Sequence, residues 1–305
     1  MTKRTDVYIG FDSAWGDKQK GAICALSLAR GKPLHFVAPH LVTFREAHCF
    51  IHDMKSSTGN TLIALDQPTI VRNSAGMRPV ERVAASLVSW LGGGVQPANL
   101  GRLGMFCDAS PIWPFLGRLG ALEDPERARY ATGGFYLIEV FPALALASFD
   151  PEFFGLRRAP KYNPGRRKTF RTKDWIRVAS AAARLARTMA CEDLARWCDE
   201  TAAITQPRKA DQDRLDSAIC VLIALHWRLR PRAESIVLGD LDTGYMVLPA
   251  SADVRERLDK PARKHSVPID ACFRAESADM TPGAGGPRGV ASAMRTCRVP
   301  NLDDR

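Results

Sequence analysis

The chain has 305 residues and eight cysteines, yet no two cysteines stand in a Cys-x-x-Cys pair. That absence argues against a zinc ribbon and against a dithiol redox site. No segment approaches the ~20 continuous apolar residues of a membrane span, and the first residues lack the apolar centre of a signal peptide. A cytoplasmic protein is therefore the expectation. Gly92, Gly93 and Gly94 are not followed by Gly-Lys-Ser/Thr, so they do not form a phosphate loop. Acid is in deficit: 33 Asp and Glu face 43 Lys and Arg, a net charge of +10. An anionic partner is favoured, nucleic acid first and an acidic membrane surface second. The hydrophobic content of 46% is ordinary, and a chain of this length can bury one large core or two ordinary ones.

Val7, Tyr8, Ile9 and Phe11 form a short β-branched and aromatic run closed by Asp12, Ser13 and Ala14. This suits a central strand ending in a polar turn. Asp12 either caps that turn or, placed beyond a strand end, holds a cation or a metal-bound phosphate. Strand patterns recur over 21–28 and 34–42, suggesting an antiparallel meander, and residues 44–54 carry the apolar stripe of a helix. The very apolar run Thr61–Leu65 ends in Asp66. A strand after a helical crossover commonly lies parallel to an earlier one, which would bring Asp12 and Asp66 to one sheet edge. Residues 69–134 read as an insertion, with a helix over 79–91 and then short helices and loops among Pro97, Pro111 and Pro114.

A fifth strand, Tyr136–Val140, carries Glu139. A charge inside an apolar strand is costly unless paired, so Glu139 is an outward-facing residue, a partner for an arginine, or part of an active site. Long helices are expected over 174–201 and 210–230. In the second, Asp213 and Asp216 share a face at i, i+3. Either they complement the helix N-terminus, or Asp216, at the border of the apolar stretch, faces the sheet and requires a cation. Cys191 and Cys198 read as core. His48 and His52 have the i, i+4 spacing of a metal pair without an evident third ligand.

From 157 to 173 the chain carries Arg157, Arg158, Lys161, Arg166, Arg167, Lys168, Arg171 and Lys173 with no acid between them. Tyr162 and Phe170 are interleaved, and Pro160 and Pro164 oppose a helix. This is the pattern of a loop for a phosphate backbone, although charge runs are often simply solvated. Six contacts to duplex phosphates would give a log–log salt slope of about −5.

The ordered set Gly10–Trp15, Ala64–Pro68, Ile138–Pro142 and Asp213–Ala218 resembles the family labelled domain of unknown function 429, regarded as predicted nucleases of RNase H-like fold. The last motif is also similar to the closing helix of RuvC-type resolvases. The resemblance covers roughly residues 6 to 249, with 239–249 as a closing segment, and departs mildly at Ser217, where the family usually has alanine. It implies an α/β fold: a mixed five-stranded sheet flanked by helices, in a domain over 1–250. Asp12 matches its first-strand acid, Asp66 its fourth-strand acid, and Asp213 and Asp216 its final-helix acids; Glu139 belongs to the motif without a settled role. Gathered carboxylates repel unless a divalent ion neutralises them, and oxygen ligands suit Mg²⁺ or Mn²⁺. The expectation is metal-dependent phosphodiester hydrolysis of DNA or RNA. Its rivals are a non-catalytic nucleic-acid-binding protein on the same scaffold and an ATP-using enzyme of the actin and sugar-kinase type, which needs a second phosphate loop not found here. A charged helix over 251–264, a linker at 281–287 and a weakly patterned end are expected to form a loose C-terminal extension over 251–305.

Overall fold

The computed structural model describes residues 4–16, 18–155 and 157–270. In chain order the strands and helices are β1 (Thr5–Asp12), β2 (Gly21–Ala29), β3 (Lys32–Val42), α1 (Phe44–Met54), β4 (Asn60–Asp66), α2 (Pro79–Trp90), α3 (Ile112–Leu119), β5 (Leu122–Glu123), α4 (Pro125–Tyr130), β6 (Gly134–Glu139), α5 (Pro142–Phe149), α6 (Pro151–Gly155), α7 (Thr172–Thr188), α8 (Glu192–Ala202), α9 (Lys209–Leu229), β7 (Ser235–Asp240), β8 (Gly244–Pro249) and α10 (Ala252–Lys264).

The main sheet is mixed and six-stranded, in the order β3-β2-β1-β4-β6-β5, with helices on both faces. Strands β1 to β3 form the antiparallel meander, and β4 lies parallel to β1 after the α1 crossover. Thr43 opens that crossover helix with a capping box: its hydroxyl accepts from the Glu46 N–H at 3.2 Å, and its own N–H donates to Glu46 at 2.7 Å. Five strands were expected. The sixth is β5, two residues from the 69–134 segment that pair with Tyr136 and Leu137 of β6, too short to show any alternation. A separate antiparallel pair, β7–β8, forms the closing segment, and Val247 bridges to Val140 beyond the end of β6.

Strand alternation sorts the core into two faces. Val7, Ile9, Phe11, Ile63 and Leu65 pack with α1 and α3 on one side. Tyr8, Leu62, Ala64 and Ile138 pack with α7, α8 and α9 on the other. A third cluster joins α2, α5, β7, β8 and α10.

Two expectations are corrected. The single helix over 174–201 is a helical pair, because Ala190 turns left-handed (φ 57°) and the Cys191 N–H closes back on the Ala186 carbonyl at 2.9 Å. Trp175 ties the two helices by donating to the Thr201 carbonyl at 3.0 Å, and both Cys191 and Cys198 are buried. Likewise, the helix expected over 251–264 forms as α10, but residues 251–270 do not trail loosely. Val254, Leu258 and Ala262 of α10 pack into the cluster with α2, and Asp270 pairs with Arg232 and Arg255. The expected linker and the rest of the extension lie outside the described residues.

Helix α9 lies on β1 at backbone distance. A Cβ placed on Gly10 would stand 2.0 Å from the Ser217 carbonyl oxygen and 2.8 Å from the Val221 nitrogen. Only glycine permits this approach. Gly10→Ala should therefore destabilise the fold by about 1–3 kcal/mol, as overpacking does, read as a lowered denaturation midpoint at unchanged slope. A midpoint equal to wild type would show that α9 can lift off at no cost.

Candidate functional site

Parity along the strands decides where the acids point. Asp12 follows Tyr8 and Gly10, and Asp66 follows Leu62 and Ala64, so both carboxylates project from the α9 face. The parallel register pairs Asp12 directly with Asp66. Above them, the first turns of α9 supply Asp213 and Asp216. Asp12 is 8% exposed and Asp216 is 4% exposed, while Asp66 and Asp213 are half-buried.

The four acids are held differently. Asp216 accepts from the Tyr162 hydroxyl at 2.8 Å on one oxygen and from the Gln212 amide on the other. Asp213 pairs with the Lys209 ammonium one helical turn earlier. Among the described residues, the carboxylates of Asp12 and Asp66 receive no hydrogen bond and no ion pair. Burial pushes the Asp12 carboxyl well above the usual aspartate range, and the charges of Asp66, Asp216 and Asp213 push it further. Asp66 is raised likewise, by burial first and Asp216 second. Burial also lifts Asp216, to about 6, opposed by its bond from Tyr162 and the charge of Lys209. Burial alone would lower the Lys209 ammonium, but Asp12 and Asp213 outweigh it and hold the group above the ordinary lysine value.

Four carboxylates thus face one ammonium. Among the described residues, no three acidic, histidine or cysteine side chains are gathered closely enough to enclose a metal ion. His48 and His52 lie on α1 with ring centroids 4.4 Å apart and planes tilted at 49°, and among the described residues they gain no third partner of that kind.

Glu139 is the arginine partner that its strand position allowed. Its carboxylate is buried and takes two bonds from Arg78, at 3.0 and 2.6 Å, and one from the Thr69 N–H at 3.0 Å. Arg78, itself buried, also binds Glu81 at 2.9 Å. Burial raises Glu139 while Arg78 lowers it. In this network every charge has a bonded partner, one guanidinium serving two carboxylates, whereas among the described residues Asp12 and Asp66 have none.

The basic stretch divides. Lys161 bonds to the Gly92 carbonyl, Arg157 lies over the Trp90 ring at 5.1 Å, and Arg158 approaches Asp174 at 3.8 Å. Tyr162 turns inward to Asp216. The side chains of Arg166, Arg167, Lys168, Arg171 and Lys173 are exposed and make no ion pair among the described residues. The stretch thus anchors at one end and offers five cations to solvent.

Several participants escaped the sequence reading. Lys209 stands at i, i+4 and i, i+7 from Asp213 and Asp216, a spacing that marks one helix face. Tyr162 stood out only as an aromatic within a charge run. Trp15 adopts a left-handed backbone (φ 60°), and its ring N–H donates to the Asp66 carbonyl at 3.2 Å. Beside the acids opens a cavity of about 320 Å³ bounded by Asp66, Asp216, Trp15 and the 161–169 loop.

No family model, curated protein or solved structure matches this chain.

Because the raised aspartates hold protons more tightly when folded, the native state binds more protons than the unfolded chain, and their contribution to stability falls as pH rises. For Asp216 the loss runs from about pH 4 and is complete above about pH 6. Asp12→Asn removes one charge from the cluster, so it should raise the melting temperature of the metal-free protein at pH 8 by about 2–6 °C, and by less at pH 4. Thermal melts in EDTA test this; an Asp12→Asn variant no more stable than wild type at pH 8 would contradict the repulsion described.

Proposed function

We propose that the protein is a divalent-metal-dependent nuclease on an RNase H-like scaffold, hydrolysing phosphodiester bonds in nucleic acid. The observation that carries the reading is the parallel β1–β4 register, which pairs Asp12 with Asp66 beneath the acids of α9. The antiparallel meander, followed by parallel strands that deliver the first- and fourth-strand acids to one edge, supports the resemblance drawn from the motifs.

The chemistry of the donor set suits a hard cation, and holding one would require the carboxylates to draw closer together than they stand. Every ligand candidate is a carboxylate oxygen, negative charge is in excess, and two of the carboxylates lack any compensating bond among the described residues. Asp12, Asp66 and Asp216 would hold Mg²⁺ or Mn²⁺, with Asp213 able to join on release from Lys209. A cation bound there would neutralise the acids, lower the pKa of an attacking water and stabilise the leaving oxygen. Tyr162 and Gln212 fix the orientation of the Asp216 carboxylate, and Glu139 is committed to Arg78. Arg166, Arg167, Lys168, Arg171 and Lys173 bind the phosphate backbone.

One observation favours a second reading. The Lys209 ammonium already stands among the acids, where it offsets part of their charge. A non-catalytic nucleic-acid-binding protein would retain such an arrangement permanently. Cleavage assays separate the two. With labelled DNA and RNA, Mg²⁺ or Mn²⁺ should support cleavage, EDTA should stop it, and Asp12→Asn should abolish it while the circular dichroism spectrum stays native. Undiminished cleavage by the Asp12→Asn variant would sink the nuclease reading; absence of cleavage under every metal condition would favour the binding one.

Binding itself is expected to depend on salt. Five phosphate-binding cations give a log–log slope of about −4.5 on duplex DNA or −3.5 on single strands. Replacing Arg167 and Lys168 together by alanine should flatten that slope by about 1.5–2, measured by titration over a range of salt. A slope unaffected by the double replacement would mean that the loop does not touch phosphate.

A further inference from the structure

The cavity beside the aspartates is built unlike a phosphate site. It shares Asp66 and Asp216 with the acid cluster, and Lys161 and Arg166 of the basic loop border it, but much of its wall is apolar, including Val88, Leu91, Phe141 and Leu146. Phosphodiester chemistry makes no use of such a wall. Its volume of about 320 Å³ lies at the small end of ligand pockets, which span about 300–1,000 Å³.

Two features mark what the wall receives. Gln212 is 7% exposed and borders the cavity. Its amide nitrogen is committed to the Asp216 carboxylate, an acceptor only, which settles the orientation of the amide. The remaining oxygen is buried and unpartnered among the described residues. A buried acceptor without a donor is costly, and a planar ligand carrying an N–H would relieve it. The second feature is Trp15, a large ring at the cavity held in a left-handed backbone that non-glycine residues rarely adopt. Strain of that kind concentrates at ligand sites.

We infer that this cavity takes one unpaired nucleobase of the substrate, with the Gln212 carbonyl oxygen accepting from a base N–H, so that the protein prefers single-stranded nucleic acid to intact duplex. An apolar wall suits the faces of a base, a lone acceptor suits its edge, and the cations of the loop suit the flanking phosphates. A base still stacked in a duplex must be extruded first, at a cost that an unpaired strand avoids. The inference deepens the nuclease reading by naming the substrate, and it rests on nucleic acid being the ligand of this site.

The test is binding by the full chain in EDTA, so that cleavage plays no part. Fluorescence anisotropy compares a labelled strand of about 12 nucleotides, within the site sizes of single-strand binders, the same backbone with every base removed, and the blunt duplex. The intact strand should bind about tenfold more tightly than the abasic one, which carries equal charge, as a stacked base allows, and more tightly than the duplex. Gly94 is an exposed residue at the rim of the cavity, and a Cβ built there meets nothing within 4 Å, so Gly94→Phe can set a ring at the opening without a clash. It should bring the intact strand down to the abasic affinity while leaving the abasic affinity alone. Equal binding of intact and abasic strands by the wild-type protein overturns the inference, as does duplex binding as tight as single-strand binding. So does a folded Gly94→Phe protein with undiminished preference for bases. Because no metal is present, base-dependent binding without any cleavage in the metal assays would retire the nuclease reading and leave this one standing; cleavage without base dependence would do the reverse.

Discussion

The approach of α9 to β1 at Gly10 is the contact on which the rest depends. A helix backbone set directly against a strand backbone leaves no freedom of height or rotation. The apolar face of α9, from Leu215 through Leu225, then seals one side of the sheet, and the turns just before it must overhang the strand ends. Asp213 and Asp216 come near enough for their charges to raise the Asp12 and Asp66 carboxyls because the core is packed this way. Core and site are consequences of one fit.

The acids at that overhang differ from the other buried charges of the molecule. Arg78, Glu81 and Glu139 form a group in which each charge has a partner at hydrogen-bond distance, and such groups hold a fold in register without calling for anything from outside. The aspartates carry an excess that Lys209 only partly offsets. Keeping the buried Asp12 and the half-buried Asp66 like-charged costs stability at neutral pH. The contrast with Glu139 is one of pairing: its charge is met inside the fold, and among the described residues those of Asp12 and Asp66 are not.

Much of this was legible in the chain. The run from Val7 to Phe11, the apolar 61–65 and the crossover between them were enough to place Asp12 beside Asp66, because strand parity and the parallel rule are local or nearly so. The limits of α1 and α9 followed from apolar periodicity. The break at Ala190 was not legible, since neither glycine nor proline marks it; it is imposed by packing between α7 and α8. Strand β5 is two residues long and exists only because β6 offers an edge. Helix α10 looked merely charged, and its three inward residues gain meaning only from the α2 surface they meet. Glu139 was ambiguous for a similar reason. Its partner Arg78 lies sixty-one positions away, and no local pattern names it.

The basic stretch shows how charge statistics mislead and inform together. Read as a run of eight cations, it suggests one uniform surface. In the structure Tyr162 plants it on Asp216, Lys161 and Arg157 brace it against the end of α2, and the cations beyond them are left to solvent. If the loop grips a nucleic-acid strand, as proposed, that strand is held by a segment bonded to Asp216. The Tyr162 hydroxyl lowers the Asp216 pKa against the rise that burial imposes. The position of the loop and the charge of Asp216 are in this way coupled through a single phenol.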